Sequence, residues 1–299
     1  MKKIFTILTA LCLAGAMSTK AQDYSSLLLN LDPASLAKGS TSFITSAGAY
    51  LAGQNAAAMS LSDKKMSIGA SYCLLPEKIG GGNAASLGTY YKTKSGFAFG
   101  LGANYMASAP ISGAGEGGAP LESFKSSDIN AHLGLSYRIV KGLSLGVSAK
   151  FVHSALTPSL SSIAFGADVN LAYRNKGLSA ALGVANLGSK LKYGESEVSL
   201  PAMARLGLAY SVFGLQVSAE VDQLFSGGTM AGAGLEYNLL DILFFRAGYH
   251  FSSPTKAAGA SFASVGLGAR FAGIELNVSY LLASESMAGM LAFGLGYSF

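Results

Sequence analysis

From about residue 66 onward, apolar and polar residues alternate with a period of two. In the stretch INAHLGLSYRI, Ile129, Ala131, Leu133, Leu135, Tyr137 and Ile139 fall on one side. Asn130, His132, Gly134, Ser136 and Arg138 fall on the other. Successive side chains of a strand point to opposite faces, so this alternation predicts strands with one apolar face. GLSLGVSAKF, IAFGADVNLAY, LQVSAEVDQ and IELNVSYLL repeat it. Fourteen such segments can be read, near 66–75, 84–94, 96–106, 127–139, 142–152, 162–173, 177–187, 201–212, 214–224, 229–238, 241–251, 262–271, 273–283 and 287–299. Most have the length that a tilted transmembrane strand requires, about 9–12 residues.

The connections give an independent test. Short links at 94–96, 140–142, 175–177, 212–214, 239–241 and 271–273 alternate with longer ones at 76–83, 107–126, 153–161, 188–200 and 252–261. Residues 226–228 and 284–286 are shorter members of the second set. Outer-membrane barrels alternate short periplasmic turns with longer outward loops, whereas a soluble two-sheet sandwich requires no such alternation. The expected fold is therefore all-β: a 14-stranded antiparallel transmembrane β-barrel over residues 65–299, preceded by a small N-terminal plug over 22–64.

Charge patterning assigns the faces. The apolar face is almost free of charge, while the other collects Asp128, Arg138, Lys150, Asp168, Arg174, Arg205, Glu220, Asp222, Glu236, Arg246, Arg270 and Glu275. A lone charge facing lipid costs roughly 2–4 kcal/mol at the midplane, so these side chains should face the lumen. There, ion pairing across the barrel would fill and stiffen it; a substrate pathway is the other reading. Gly134, Gly146, Gly166, Gly183, Gly207, Gly248, Gly266, Gly268, Gly294 and Gly296 share the inner parity, leaving room for strand coiling or for an inserted segment.

Residues 23–63 offer that segment. They are too apolar for a disordered tail and lack strand periodicity. They also contain DPASLAK, a helix expected at 32–38 with Asp32 as its cap and Pro33 at its first position. Ahead of them, residues 1–21 read as a secretory signal: Lys2 and Lys3, an apolar run from Ile4 to Met17, and a small-residue cleavage site before Gln22. The run is shorter than the roughly 20 residues of a spanning helix.

Composition agrees with a barrel. Half the residues are hydrophobic and 12% are charged, with 38 glycines, 14 tyrosines and 16 phenylalanines. The net charge of +5 falls to +2 once Lys2, Lys3 and Lys20 leave with the signal, so nothing calls for nucleic acid. Cys73 is the only cysteine of the mature chain, which excludes an internal disulfide. The last strand, LAFGLGYSF, places Phe293, Leu295, Tyr297 and Phe299 on the apolar face. This ending resembles the signal by which the outer-membrane insertion machinery takes up its substrates through β-augmentation. Insertion machinery and outer-membrane lipid are accordingly expected partners.

The stretch DPASLAKGSTSFITSAGAYLAGQNAAAMS resembles the hatch of FadL-type barrels, and especially that of the PorV/PorQ family of Bacteroidota. Asn55, Ala56, Ala57, Ala58 and Met59 match that family's NPA-x-L element, with Ala56 where the proline usually stands. FKSSDINAHLGLSY, FGADVNLAYRNKGLSAALGVANLGSKLKY, LPAMARLGLAYSV and GAGLEYNLLDILFFRAGY are similar to the family's strands in order and spacing. The resemblance implies a fourteen-stranded barrel in the outer membrane of a Gram-negative bacterium, a Bacteroidota. It implies a non-enzymatic interaction role in type IX protein secretion, with secreted cargo or secretion components as partners. The alternative is a FadL-like channel for hydrophobic small molecules. No catalytic, cofactor or metal constellation is expected. His132 should face the lumen, His153 the outer rim and His250 the end of strand eleven; His153 and Ser154 point to opposite faces and form no nucleophile–base pair. GAGEGG at 113–118 has no strand-to-helix context for a phosphate cradle.

Overall fold

Alternating side chains form pleated strands because one face can then meet an apolar medium while every backbone group bonds to a neighbouring strand. The computed structural model describes residues 25–46, 48–112, 123–253 and 259–299. Its strands are β1 (Met66–Leu74), β2 (Asn83–Lys92), β3 (Phe97–Ala107), β4 (Ser127–Val140), β5 (Leu143–Thr157), β6 (Leu160–Asn175), β7 (Leu178–Gly188), β8 (Lys190–Tyr193), β9 (Ser196–Ser199), β10 (Met203–Val212), β11 (Leu215–Leu224), β12 (Thr229–Leu239), β13 (Leu243–Ser252), β14 (Phe262–Phe271), β15 (Ile274–Leu282) and β16 (Leu291–Ser298). The expected signal at 1–21 and the GAGEGG stretch lie outside the described residues.

Fourteen strands close one antiparallel barrel, and β8 with β9 forms a separate ribbon. Closure joins β1 to β16 from Ser67↔Ser298 to Leu74↔Leu291. The Phe299 carbonyl extends that seam by accepting from the Lys65 and Met66 N–H groups at 2.7 and 3.0 Å. Leu133, Val147 and Phe165 are exposed on the outer face, whereas Ser136, Ser148 and Asp168 of the opposite parity are buried. Among the described residues no helix is long and apolar enough to cross a membrane; the crossing is made by strands.

Three short turns, Lys176-Gly177, Phe213-Gly214 and Ala272-Gly273, have positive φ at both central residues. That geometry matches the twist of the flanking strands, and it fixes register on the short-turn side, where both ends of the barrel also lie. The long connections depart from expectation in three places, one of them the β15–β16 link, which runs over 283–290 and not 284–286 because β16 begins only at Leu291. Residues 153–161 are largely strand: β5 and β6 run on, pairing Ser154 with Ser162, to a two-residue turn. Pro158 and the surrounding serines carry turn chemistry that hides this extension in the sequence. His153 is therefore inside β5, opposite Ile163, and not beyond the strand at the rim. Within 188–200, the β8–β9 ribbon is too short for its period to register in the sequence.

The N-terminal segment occupies the lumen as four short helices: α1 (Pro33–Leu36), α2 (Ser42–Thr45), α3 (Leu51–Gln54) and α4 (Ala56–Leu61). Most of the inner-face glycines mark where it touches the wall. A Cβ on Gly207 would stand 2.7 Å from Ile44 Cβ, and one on Gly146 would stand 2.6 Å from Ala57 Cα.

Leu133→Arg is expected to lower the yield of heat-modifiable, folded barrel severely, because Leu133 lies on the lipid face. Ser148→Arg should still insert but should displace α3, since Ser148 Oγ donates to the Ala52 carbonyl at 2.9 Å. Equal yields and equal protease sensitivity of the plug in both variants would refute this assignment of faces. Deleting Phe299 is expected to cut the inserted amount far more than it lowers the melting temperature of what does insert. A fall in melting temperature alone would assign Phe299 to packing.

Candidate functional site: the plugged lumen

Asp32, Pro33 and the residues around them build the head of the plug. Asp32 caps α1, its carboxylate accepting from Ala34 N–H at 3.1 Å and from Ser46 Oγ at 2.9 Å. Pro33 occupies the first helical turn, where its missing N–H costs nothing. Asn30 accepts from Asp32 N–H and donates to Ser35 Oγ, both at 3.0 Å. Burial, opposed by the bonds from Ser35 and Ser46, raises the Asp32 pKa above the ordinary carboxylate range. Asn55 stands before α4 but does not cap it; its Nδ2 donates to the Phe43 carbonyl at 2.9 Å and ties α4 to α2.

Three polar networks lie in the lumen, and the first two join plug to wall. In the first, Lys38 Nζ lies 3.2 Å from Glu236 Oε2 and 3.3 Å from Gln216 Oε1. Glu236 also accepts from Arg246 Nε at 2.6 Å, and Arg246 donates to Asn277 Oδ1 at 2.6 Å. Glu275 continues the chain to Arg270 at 2.5 Å. Burial lowers the Lys38 pKa, against the pull of Glu236.

The second network centres on Arg205, which meets Glu220 at 2.6 Å and Asp222 at 3.0 Å. The other Glu220 oxygen accepts the Phe43 N–H at 2.9 Å. The guanidinium also donates to Ser42 Oγ and to the Gln54 carbonyl, and lies 4.7 Å above the Phe43 ring. The third network sits at a bulge where the β6–β7 register shifts between Ala167 and Val169. Asp168 accepts the Asn186 N–H at 2.8 Å, and Lys150 bridges Asp168 (2.8 Å) and Asn186 Oδ1 (2.6 Å). Asn186 has φ +59 there.

These networks bring together nine of the twelve charges singled out in the sequence. Arg138 and Arg174 join none of the three; both are exposed at the short-turn rim, Arg174 beside Asp63 at 3.5 Å. Asp128 is half-buried near the outward end of β4. Sequence reasoning missed Lys38 although it lies within DPASLAK. Its signal is a single charge inside an apolar segment expected to be buried, which demands an opposite partner. The dependence on Gln216 and Asn277 had no comparable signal.

Above the networks the plug meets apolar surface. Leu29 and Leu31 pack on a cluster containing Cys73, Phe262, Leu281 and Met290. Leu27 packs with Val152, Leu191 and Tyr193, and Leu28 with Met203, Leu224 and Met230. All three patches lie at the outward mouth, and the β8–β9 ribbon supplies part of one. Below them is a cavity of about 40 Å³, with Asn104, Asn130, His132, Lys150 and Arg205 in its wall. A second cavity of about 240 Å³ reaches the short-turn side past Ser62, Arg174 and Asn277. Asp32, Ala49 and Tyr50 line both and so form the partition between them. Burial also raises the Tyr50 pKa. His250 stacks on Phe262 at 4.9 Å, away from both cavities.

No family model matches this chain, and no curated protein matches it by sequence. Solved structures do. The toluene transporter TbuX of Ralstonia pickettii has a TM-score of 0.65 at 14% identity, covering 90% of this chain and 98% of that one. The monoaromatic hydrocarbon channel CymD gives 0.66 at 14% identity, covering 91% and 98%. A Pseudomonas aeruginosa FadL homologue gives 0.61 at 12% identity, covering 89% and 97%. The fold is that of the FadL-like outer-membrane barrels of Gram-negative bacteria.

Proposed function

We propose that this protein is a plug-gated outer-membrane channel that admits small hydrophobic molecules. The observation that carries this reading is the seating of Leu27, Leu28, Leu29 and Leu31 in apolar patches at the outward mouth, above a partition that two cavities share. An apolar ligand fits the same patches by the same burial, at about 25 cal/mol per Å² of apolar surface. Taking those places, it would free the leucine segment and loosen the partition of Asp32 and Tyr50. The likeness to structures described as hydrocarbon channels agrees with this. No chemistry on the ligand is part of the proposal, which is non-enzymatic.

The secretion-linked role in Bacteroidota rests on the sequence resemblance alone. It would be favoured by co-purification of secreted cargo or type IX components with the barrel in place of a small ligand.

In liposomes, Tyr50→Ala and deletion of residues 23–60 are expected to raise uptake of a radiolabelled monoaromatic solute several-fold. Leu29→Asp, which gives up the patch that the ligand would take, should raise uptake as well. Unchanged uptake in all three variants would overturn the channel reading. Arg205→Met strands Glu220 and Asp222 without their cation in the barrel interior, which costs about 3–5 kcal/mol. Its folded form should melt at a clearly lower temperature and present 25–61 to protease, whereas Arg174→Met at the rim should change neither measurement.

A further inference from the structure

The short-turn rim, which the barrel rule places in the periplasm, divides into two chemically different arcs. Over β1 to β7 it is basic. Lys64 and Lys65 precede β1, Lys92 and Lys94 flank the β2–β3 turn, Arg138 and Lys141 the β4–β5 turn, and Arg174 and Lys176 the β6–β7 turn. Asp63 is the one carboxylate among the described residues of this arc. Because these strands are consecutive neighbours in the barrel, the cations form one continuous patch.

Over β10 to β16 the rim is mainly apolar, its charges being Asp241 in the β12–β13 turn and the mutually paired Arg270 and Glu275. Phe213, Leu240 and Phe271 stand at the turns, 98%, 80% and 81% exposed, with Ile242 and Phe299 beside them. Phe213 is also held at φ +49, a conformation that disfavours a bulky residue and that asparagine or glycine would adopt with less strain. Turn geometry therefore does not explain a phenylalanine there; contact with something apolar does.

A tyrosine girdle locates that surrounding. Tyr91, Tyr137, Tyr173, Tyr210, Tyr237 and Tyr297 point outward within a few residues of the short turns, as rings at a bilayer interface do. Lys65 Nζ lies 5.4 Å from the Tyr91 ring centroid, which puts its ammonium at the level of the lipid phosphates. We infer that the rim is an asymmetric lipid-binding surface: the basic arc holds the headgroups of anionic phospholipids of the inner leaflet, and the apolar arc dips into the same leaflet. The barrel then leans toward its β10–β16 side. A soluble acidic partner would match the cations but would leave the apolar arc bare, so lipid accounts for both halves.

The chain contains no tryptophan, which makes single-tryptophan reporters clean. Phe213→Trp, Phe271→Trp and Ser95→Trp, the last in the basic arc, would each be folded into phosphatidylethanolamine–phosphatidylglycerol vesicles with brominated acyl chains. The expected result is quenching at positions 213 and 271 at least twofold stronger than at position 95. In parallel, the barrel's preference for spin-labelled phosphatidylglycerol over phosphatidylcholine should drop by about fivefold or more when Lys64, Lys65, Lys94 and Lys141 are all changed to Gln. Quenching of Phe213→Trp in that background shows that the barrel is still inserted. Equal quenching at the three positions overturns the lean. An unchanged lipid preference in the quadruple variant, or none in the parent, overturns the headgroup site.

Discussion

The constraint on which everything else depends is that a sheet in lipid can have no edge. Hydrocarbon offers no partner to an unpaired N–H or C=O, and each would cost several kcal/mol. The pairing of β1 with β16 satisfies that condition, and the Phe299 carbonyl extends it beyond the last strand residue. Closure of an antiparallel sheet also dictates the even strand count and puts both ends of the barrel on one side. The tight turns with positive φ follow from the twist that the sheet must keep.

Closure at fourteen strands creates a second problem. Eight strands enclose a space that side chains can fill, while sixteen leave an open channel. Fourteen fall between, and here a segment of the same chain supplies the filling. Glycines on the inner face allow its backbone to come within contact distance of the wall. Buried charges hold it by bonds to its backbone as much as to its side chains, Glu220 to the Phe43 N–H being the clearest case. Such contacts are directional and strong when intact. They bury little apolar area themselves; shared clusters such as Leu51, Ala52 and Met59 with Tyr90 and Ala98 supply the apolar contact between plug and barrel.

Along the axis the chemistry therefore changes in order: apolar at the outward mouth, polar and ionic in the middle, and divided between basic and apolar arcs at the periplasmic rim. Each zone follows the medium it faces. The leucines of the plug fill the mouth, Lys38 and Arg205 work where water is scarce, and the rim lysines sit among headgroups. The division of the rim also means that the barrel is not equivalent around its circumference, although the sheet that forms it is regular.

The strands, their parity and the closed sheet could be read from the sequence because period-two alternation is a local property, and each face meets a uniform medium. The Asp32 cap with Pro33 behind it was legible for the same reason: its bonds span two or three residues. What joins distant residues was not legible. The ion ladder of Lys38, Glu236 and Arg246 depends on which turn of the plug faces which strand, and inward parity alone cannot supply an angular position within the lumen. Arg138 and Arg174 carry that parity yet lie at the short-turn ends of β4 and β6, because parity reports the face and not the depth. The sequence by itself determined a closed membrane barrel with a segment left over to fill it. The tertiary structure alone decided how that segment sits, because its register in the lumen is set by contacts such as that of Gly39 with Ser264, 225 residues apart.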